Sequence, residues 1–295
     1  MNVRILERLS THSALGIRFW DEDFERPVED AVIATARPWG QQNRRAVIAQ
    51  RTFSGALVFQ GLPGMRGFEH DGPPDANASP PSPPTQRFLI EVTDTKARYA
   101  PAAFGVDLPL PYDGPYLGAV LPSPAPPGFI LIGGPDRPRD PSLARVTATL
   151  ARAATGEPAA WARMIVVDPE GRSWHGIAGP DGRCSVQLPW PVLAEVVPGS
   201  PPTGDASSLL SRNWPLTITV EAAAAPLPPI TASEIPDYGQ ILSQPNAQIW
   251  PEPPDASPTP VPTPTTTATL HFGETLTLRS GARASRLFVG PGPSP

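Results

Sequence analysis

The sequence contains one cysteine, Cys184, with three methionines and four histidines. A lone thiol closes no intrachain disulfide, so the fold must hold by packing and hydrogen bonds, which fits a reducing compartment. Nothing beside Cys184 in sequence activates a thiolate, and its strand-like setting reads as that of a small apolar core residue. Charge is sparse too. Only 17% of residues are charged and the net charge is −5, which leaves no basic stripe to displace counterions from a nucleic acid. No apolar run approaches the ~20 residues of a membrane-spanning helix, so no membrane insertion is expected. Met1 to Ser10 alternates apolar and charged residues without the apolar stretch of a secretory signal. The expectation is a chain folded in the cytoplasm.

Helix is excluded by what the sequence has in excess. Prolines number 44 and glycines 25, nearly a quarter of the 295 residues. Proline fixes φ and lacks an N–H, so such a chain cannot be mainly helical. The length allows two or three small domains, each with a modest core.

An internal repeat organises the remainder. Gly16 to Asp21 leads into Glu25 to Ala34, and Arg145 to Leu150 leads into Thr155 to Ile165. Each reads as a strand, a tight turn with Pro27 or Pro158, and a second apolar strand. A further turn follows each, Arg37-Pro38-Trp39-Gly40 in the first copy and Asp168-Pro169-Glu170-Gly171 in the second. Gly55 to Gly64 and Gly182 to Trp190 close the copies alike, and Arg87 to Val92 and Pro215 to Val220 add one more strand each. Short alternating strands separated by Pro and Gly turns are the pattern of a β-sandwich.

The expected architecture is all-β, with two tandem Ig-like, transthyretin-like sandwiches. They occupy 15–120 and 142–225, after an N-terminal extension at 1–14. A proline-rich loop at 71–84 should be exposed, and 121–141 should hold a lone strand joining the domains. Residues 226–268 read as an extended proline-rich arm. From 269 to 295 a β-hairpin and tail follow, with Thr269 to Leu278 as one strand, a Ser280-Gly281 turn, and Arg286 to Val289 as the other. A hairpin of that size is marginal alone and must dock on a sandwich or on another protein.

Candidate chemistry is thin. His271 and Glu274 have the H-x-x-E spacing of a zinc pair. No histidine follows, however, and residues three apart on a strand face opposite sides. Asp21-Glu22-Asp23 lacks the remaining ligands of a calcium loop. His175, in Trp174-His175-Gly176, has no nucleophile elbow near it, and His12 and His70 have no partner in sequence. No catalytic residue, metal or cofactor is expected. Phe19, Trp20, Trp39, Phe59, Trp161, Trp174, Trp190 and Trp214 could form a glycan platform, but core packing is their default. Trp250 sits among prolines in the arm and reads as an anchor into a partner's pocket. With the apolar residues of the terminal hairpin it makes a candidate partner-binding set: Trp250, Leu270, Phe272, Leu276, Leu278, Leu287 and Phe288.

The block Arg18-Phe19-Trp20-Asp21, Pro27-Val28 and Gly55 to Gly64 resembles the carboxypeptidase-regulatory-like, transthyretin-like sandwich. Gly61-Leu62-Pro63-Gly64, Arg87 to Asp94 followed by Pro101 to Pro109, and Leu270 to Arg279 are together similar to proteins of extracellular contractile injection systems, the phage tail-like particles. That resemblance implies a non-enzymatic structural role, placed as the cap adaptor joining inner tube and sheath to the terminal cap. It also implies sheath, tube and cap proteins as partners, and self-association in a six-fold ring. The alternatives are a baseplate-associated position in the same particle, or a carbohydrate- or surface-binding sandwich. An accessory domain of a peptidase is a third reading, tied to zinc at His271.

Overall fold

The computed structural model describes residues 13–41, 43–71, 85–110, 115–118, 127–190, 213–258, 260–282 and 284–291. His12 and the loop expected at 71–84, apart from the backbone of Asp71, lie outside them. Among the described residues the chain is all-β, with nineteen strands and two helices of six and five residues. It forms two compact units. The first gathers described residues of 1–95, 101–131 and 229–239, and the second those of 96–100, 132–228 and 240–295. The units therefore interleave along the chain, and each includes a segment that the sequence pattern assigned to a linker or an arm.

The first unit holds β1 (Gly16–Ile17), β2 (Phe19–Asp21), β3 (Arg26–Pro27), β4 (Val32–Pro38), β5 (Val47–Ile48), β6 (Gln50–Arg51), β7 (Leu57–Val58), α1 (Arg66–Asp71), β8 (Gln86–Asp94), β9 (Ala102–Leu108) and β10 (Phe129–Leu131). Its main sheet is antiparallel, in the order β5-β4-β8-β9. Period-two alternation fixes its register: Val32, Ala34, Ala36 and Pro38 of β4 are buried, and Ile33, Thr35 and Arg37 face outward. The sheets β1-β7-β6 and β10-β2-β3 complete the unit. The Gly61-Leu62-Pro63-Gly64 motif is held by the buried Glu69, whose carboxylate accepts the N–H groups of Gly61 at 2.9 Å and Leu62 at 3.3 Å.

The second unit holds β11 (Leu143–Arg152), β12 (Arg163–Val167), β13 (Ser173–Ile177), β14 (Arg183–Pro189), β15 (Asn213–Glu221), β16 (Gln248–Ile249), β17 (Thr266–His271), β18 (Thr275–Leu278) and β19 (Leu287–Gly290). The helix α2 (Tyr238–Leu242) spans the point where the chain passes from one unit to the other. Its antiparallel sheet runs β13-β12-β15-β17, the counterpart of β5-β4-β8-β9. In each unit the opening strand run pairs antiparallel with the strand that closes the repeat, β1 with β7 and β11 with β14. The same opening run also takes a later strand in parallel: β10 on β2, and both β18 and β19 on β11. The repeat legible in the turns is thus also present in the strand order.

Three expectations need correction. The run Gly128 to Ile132 is not a lone joining strand. Its β10 pairs with β2, and Phe129 stacks on Phe104 at 4.6 Å and on Tyr238 at 5.4 Å within the first unit. The arm at 226–268 is not coreless, because Ile235, Tyr238, Ile241, Ala247 and Ile249 are buried.

The terminal runs dock on the second sandwich but do not pair as a hairpin. Gly273 has φ of 79° and breaks the expected single strand, with the Glu274 N–H donating to the His271 carbonyl at 3.2 Å. As a result β17 joins β15 in one sheet and β18 joins β11 in the other. After the turn beyond Ser280, β19 continues along the same edge of β11: Arg145 to Ala148 pair with β18, and Leu150 to Arg152 with β19.

Candidate functional site

The residues expected to meet a partner are mostly consumed by the second unit itself. Leu270, Leu278 and Leu287 are buried in its core beside Val146, Leu150, Ile218 and Val220, and Leu276 packs against that core. Leu270, Leu278 and Leu287 are corrected from partner contacts to packing, and Leu276 is half-buried. Phe272 closes an aromatic cluster, 4.9 Å from Trp190 and 6.3 Å from Trp214 between ring centroids. Trp250 and Phe288 are half-buried, and the Trp250 N–H donates to the Phe288 carbonyl at 3.0 Å. Ser280 ties the same corner: its hydroxyl donates to the Trp250 carbonyl at 2.6 Å and accepts the Phe288 N–H at 2.9 Å.

The polar candidates resolve into turns and strands. His271 and Glu274 are exposed at the two ends of the Gly273 turn. The Asp21 side chain is buried and accepts the Phe24 N–H at 3.3 Å, so this is a capped turn. Asp168 is also buried. Its carboxylate accepts the N–H groups of Glu170 at 3.0 Å and Arg172 at 2.9 Å, and Arg172 Nε lies 2.7 Å away. His175 lies on β13, paired with Ile165 of β12. Cys184 is buried on β14, and burial pushes its thiol up to about 12, so it stays protonated at physiological pH. Among the described residues no three metal-ligating side chains cluster.

The surface that stands out is on the first unit, where Ile33, Trp39, Ile48 and Phe53 are exposed. Trp39, expected in a core, is 40% exposed because it begins the turn that ends β4. Its ring lies 4.7 Å from the Arg87 guanidinium, and a side chain at Gly105 would collide with both: a Cβ there would fall 2.8 Å from Arg87 Nε and 2.9 Å from the Trp39 ring. Beside it a cleft of roughly 200 Å³ is lined by Arg37, Pro38, Trp39, Gly40, Leu89, Pro229 and Ile230. Arg37 pairs with Glu91 at 2.9 Å, and its buried Nε has no hydrogen-bond partner among the described residues.

Ile48 and Ile33 share the outer face of the main sheet, since Ile48 is paired directly with Thr35. Phe53, at the tip between β6 and β7, is fully exposed. Ile48 and Phe53 escaped the sequence reading, although for Ile48 the run Arg44 to Arg51 carries a signal. Apolar and charged residues mix there over one short run, as on a half-exposed strand.

No protein-family model matches this sequence, and no curated protein does. Solved structures matched include the shaft pilin SpaA of Lactobacillus rhamnosus GG. A single-site mutant has 10% identity over 99% of this chain and 94% of that one, at a TM-score of 0.22. A double mutant has 11% identity over 100% and 94%, again at 0.22. A likeness that loose assigns nothing. The fold therefore rests on the sheets themselves.

The burial of Leu270 separates packing from partner binding. Leu270→Ala should lower the stability of the isolated chain by about 2–5 kcal/mol, read as a fall in denaturant midpoint. An unchanged midpoint would return Leu270 to the set of partner contacts.

Proposed function

We propose that the chain is a non-enzymatic structural component of a contractile injection, phage tail-like particle, acting as the cap adaptor between tube and sheath and the terminal cap. The observation that carries the partner-binding part of this reading is the placement of exposed apolar side chains. Of the large exposed hydrophobic residues among those described, Ile33, Trp39, Ile48 and Phe53 fall in one short stretch of the first unit, and only Val261 lies elsewhere. Monomeric domains scatter such side chains singly, and Ile33 and Ile48, on one face of the main sheet, are the pair that marks an interaction surface. The resemblance of Gly61 to Gly64, Arg87 to Asp94 and Leu270 to Arg279 to injection-system proteins supplies the choice of particle. Copies would repeat around a six-fold axis through head-to-tail contacts. A baseplate-associated position in the same particle would use the same surface.

Co-expression with sheath, tube and cap proteins should yield a complex that survives size exclusion, and Phe53→Ser should weaken it. A monodisperse monomer that leaves all three behind would overturn the reading.

The Trp39 cleft favours one second reading, a carbohydrate-binding module. A half-exposed indole beside the Arg37–Glu91 pair offers a stacking face together with donor and acceptor groups. On a glycan array that reading expects saturable binding lost in Trp39→Ala, and a blank array removes it.

A further inference from the structure

Sheet edges in the first unit are treated unequally. The β9 edge of the main sheet is met by a parallel bridge from Ala103 to Asp237, and the β1 edge of the smaller sheet by one from Ile17 to Tyr116. In the second unit the counterpart of β5, β13, is met by a bridge from Gly176 to Gly133. At their other ends the main and smaller sheets of the first unit finish in β5 and β6, which are separated only by Ala49. No described residue caps either.

The hydrogen-bond phase shows what these strands present. The Ala49 N–H donates to the Ala34 carbonyl at 2.9 Å, so Ala34 and Ala49 form a hydrogen-bonded pair. Antiparallel ladders alternate, and the neighbouring Thr35–Ile48 pair is therefore of the non-bonded kind. The Ile48 N–H and C=O thus point away from β4, toward the open edge. The same logic applies to β6: the Thr52 N–H donates to Ala56 O at 2.8 Å, so the Arg51–Leu57 pair is non-bonded and the Arg51 main chain faces away from β7.

Natural edges are commonly blunted by charge, and the flanking arginines could serve only that purpose. One observation opposes this, and a second bears on the occupant. Ile48 is 63% exposed and Phe53 fully exposed, the reverse of a protected edge. Arg44 and Arg45 are exposed with no ion pair among the described residues, and residues 43–55 contain no acid, in a chain of net charge −5.

We infer that the β5–β6 edge is a strand-addition site for an extended, acidic segment of another protein. The incoming strand pairs with the outward N–H and C=O of Ile48, lays an apolar side chain on Ile48, and sets its carboxylates against Arg44 and Arg45. A second copy pairing through the same edge would oppose these arginines to themselves, which like-charge repulsion disfavours. The inference rests on the assembly reading only for the class of occupant, another protein.

The test uses the full chain and three blocked eight-residue peptides: alternating Glu and Val, alternating Lys and Val, and the Glu/Val sequence with proline at alternate Val positions. The Glu/Val peptide should bind saturably and at least tenfold tighter than the other two, and slow amide exchange at Ile48. Ile48→Pro removes an outward N–H without touching a ladder bond and should weaken binding about tenfold. If that variant misfolds, the surface variant Arg44→Glu/Arg45→Glu should show the same loss.

Equal binding of the Lys/Val or proline-bearing peptide, protection elsewhere on the chain, edge-to-edge dimers in sedimentation, or no saturable binding would each overturn the site. Peptide binding without co-purification of sheath and tube would sink the particle reading and leave the site standing. Co-purification unaffected by Ile48→Pro and by the arginine reversal would do the opposite.

Discussion

The second unit depends on the parallel pairing of β18 and β19 along one edge of β11. Thr147 and Thr277, 130 residues apart in sequence, are cross-strand neighbours there. This contact brings Leu278 and Leu287 onto the same core as Val146 and Leu150. Loop-closure entropy grows only slowly with length, so a late strand can complete an early sheet at modest extra cost. The first unit repeats the device on a smaller scale. Its β10 lies parallel to β2, and Phe129 stacks on Phe104 and Tyr238 and meets Phe19 edge-on.

Much of this was legible where local rules decide. Period-two alternation marks β4, β12 and β15, and the Asp168 and Gly182 turns follow from their side chains and positive φ. The burial of Cys184 and the repeat itself came from the same local reading. Partner choice for the later strands was not legible, because a run such as Thr275 to Leu278 pairs as well with a hairpin neighbour as with β11. Gly273 decided the matter by turning the chain between sheets. The same limit misplaced the interaction surface. Leu270, Leu278 and Leu287 look in sequence like exposed arm residues only while their strands lack partners. Trp39 looks like core only until the turn after β4 is seen to carry it outward.

Moving the candidate surface from the C-terminal segment to the first unit changes what the repeat accomplishes. Two sandwiches of shared strand order differ at one edge: β13 is met by Gly133, and the β5–β6 run is met by nothing described. The second copy spends its terminal strands on its own sheets. The first keeps the Ile48 main chain unpaired on the side away from β4, with the exposed Ile48 side chain and Arg44 and Arg45 close by in sequence, as strand addition by another chain requires.

Native-state hydrogen exchange on the isolated chain tests this division most directly. The account predicts that amides of Thr275–Leu278 and Leu287–Gly290 exchange as slowly as those of β11, through the same global opening, while Ile48 and Arg51 exchange orders of magnitude faster. Fast exchange across both terminal strands with β11 still protected would show a detached arm, and would contradict the account.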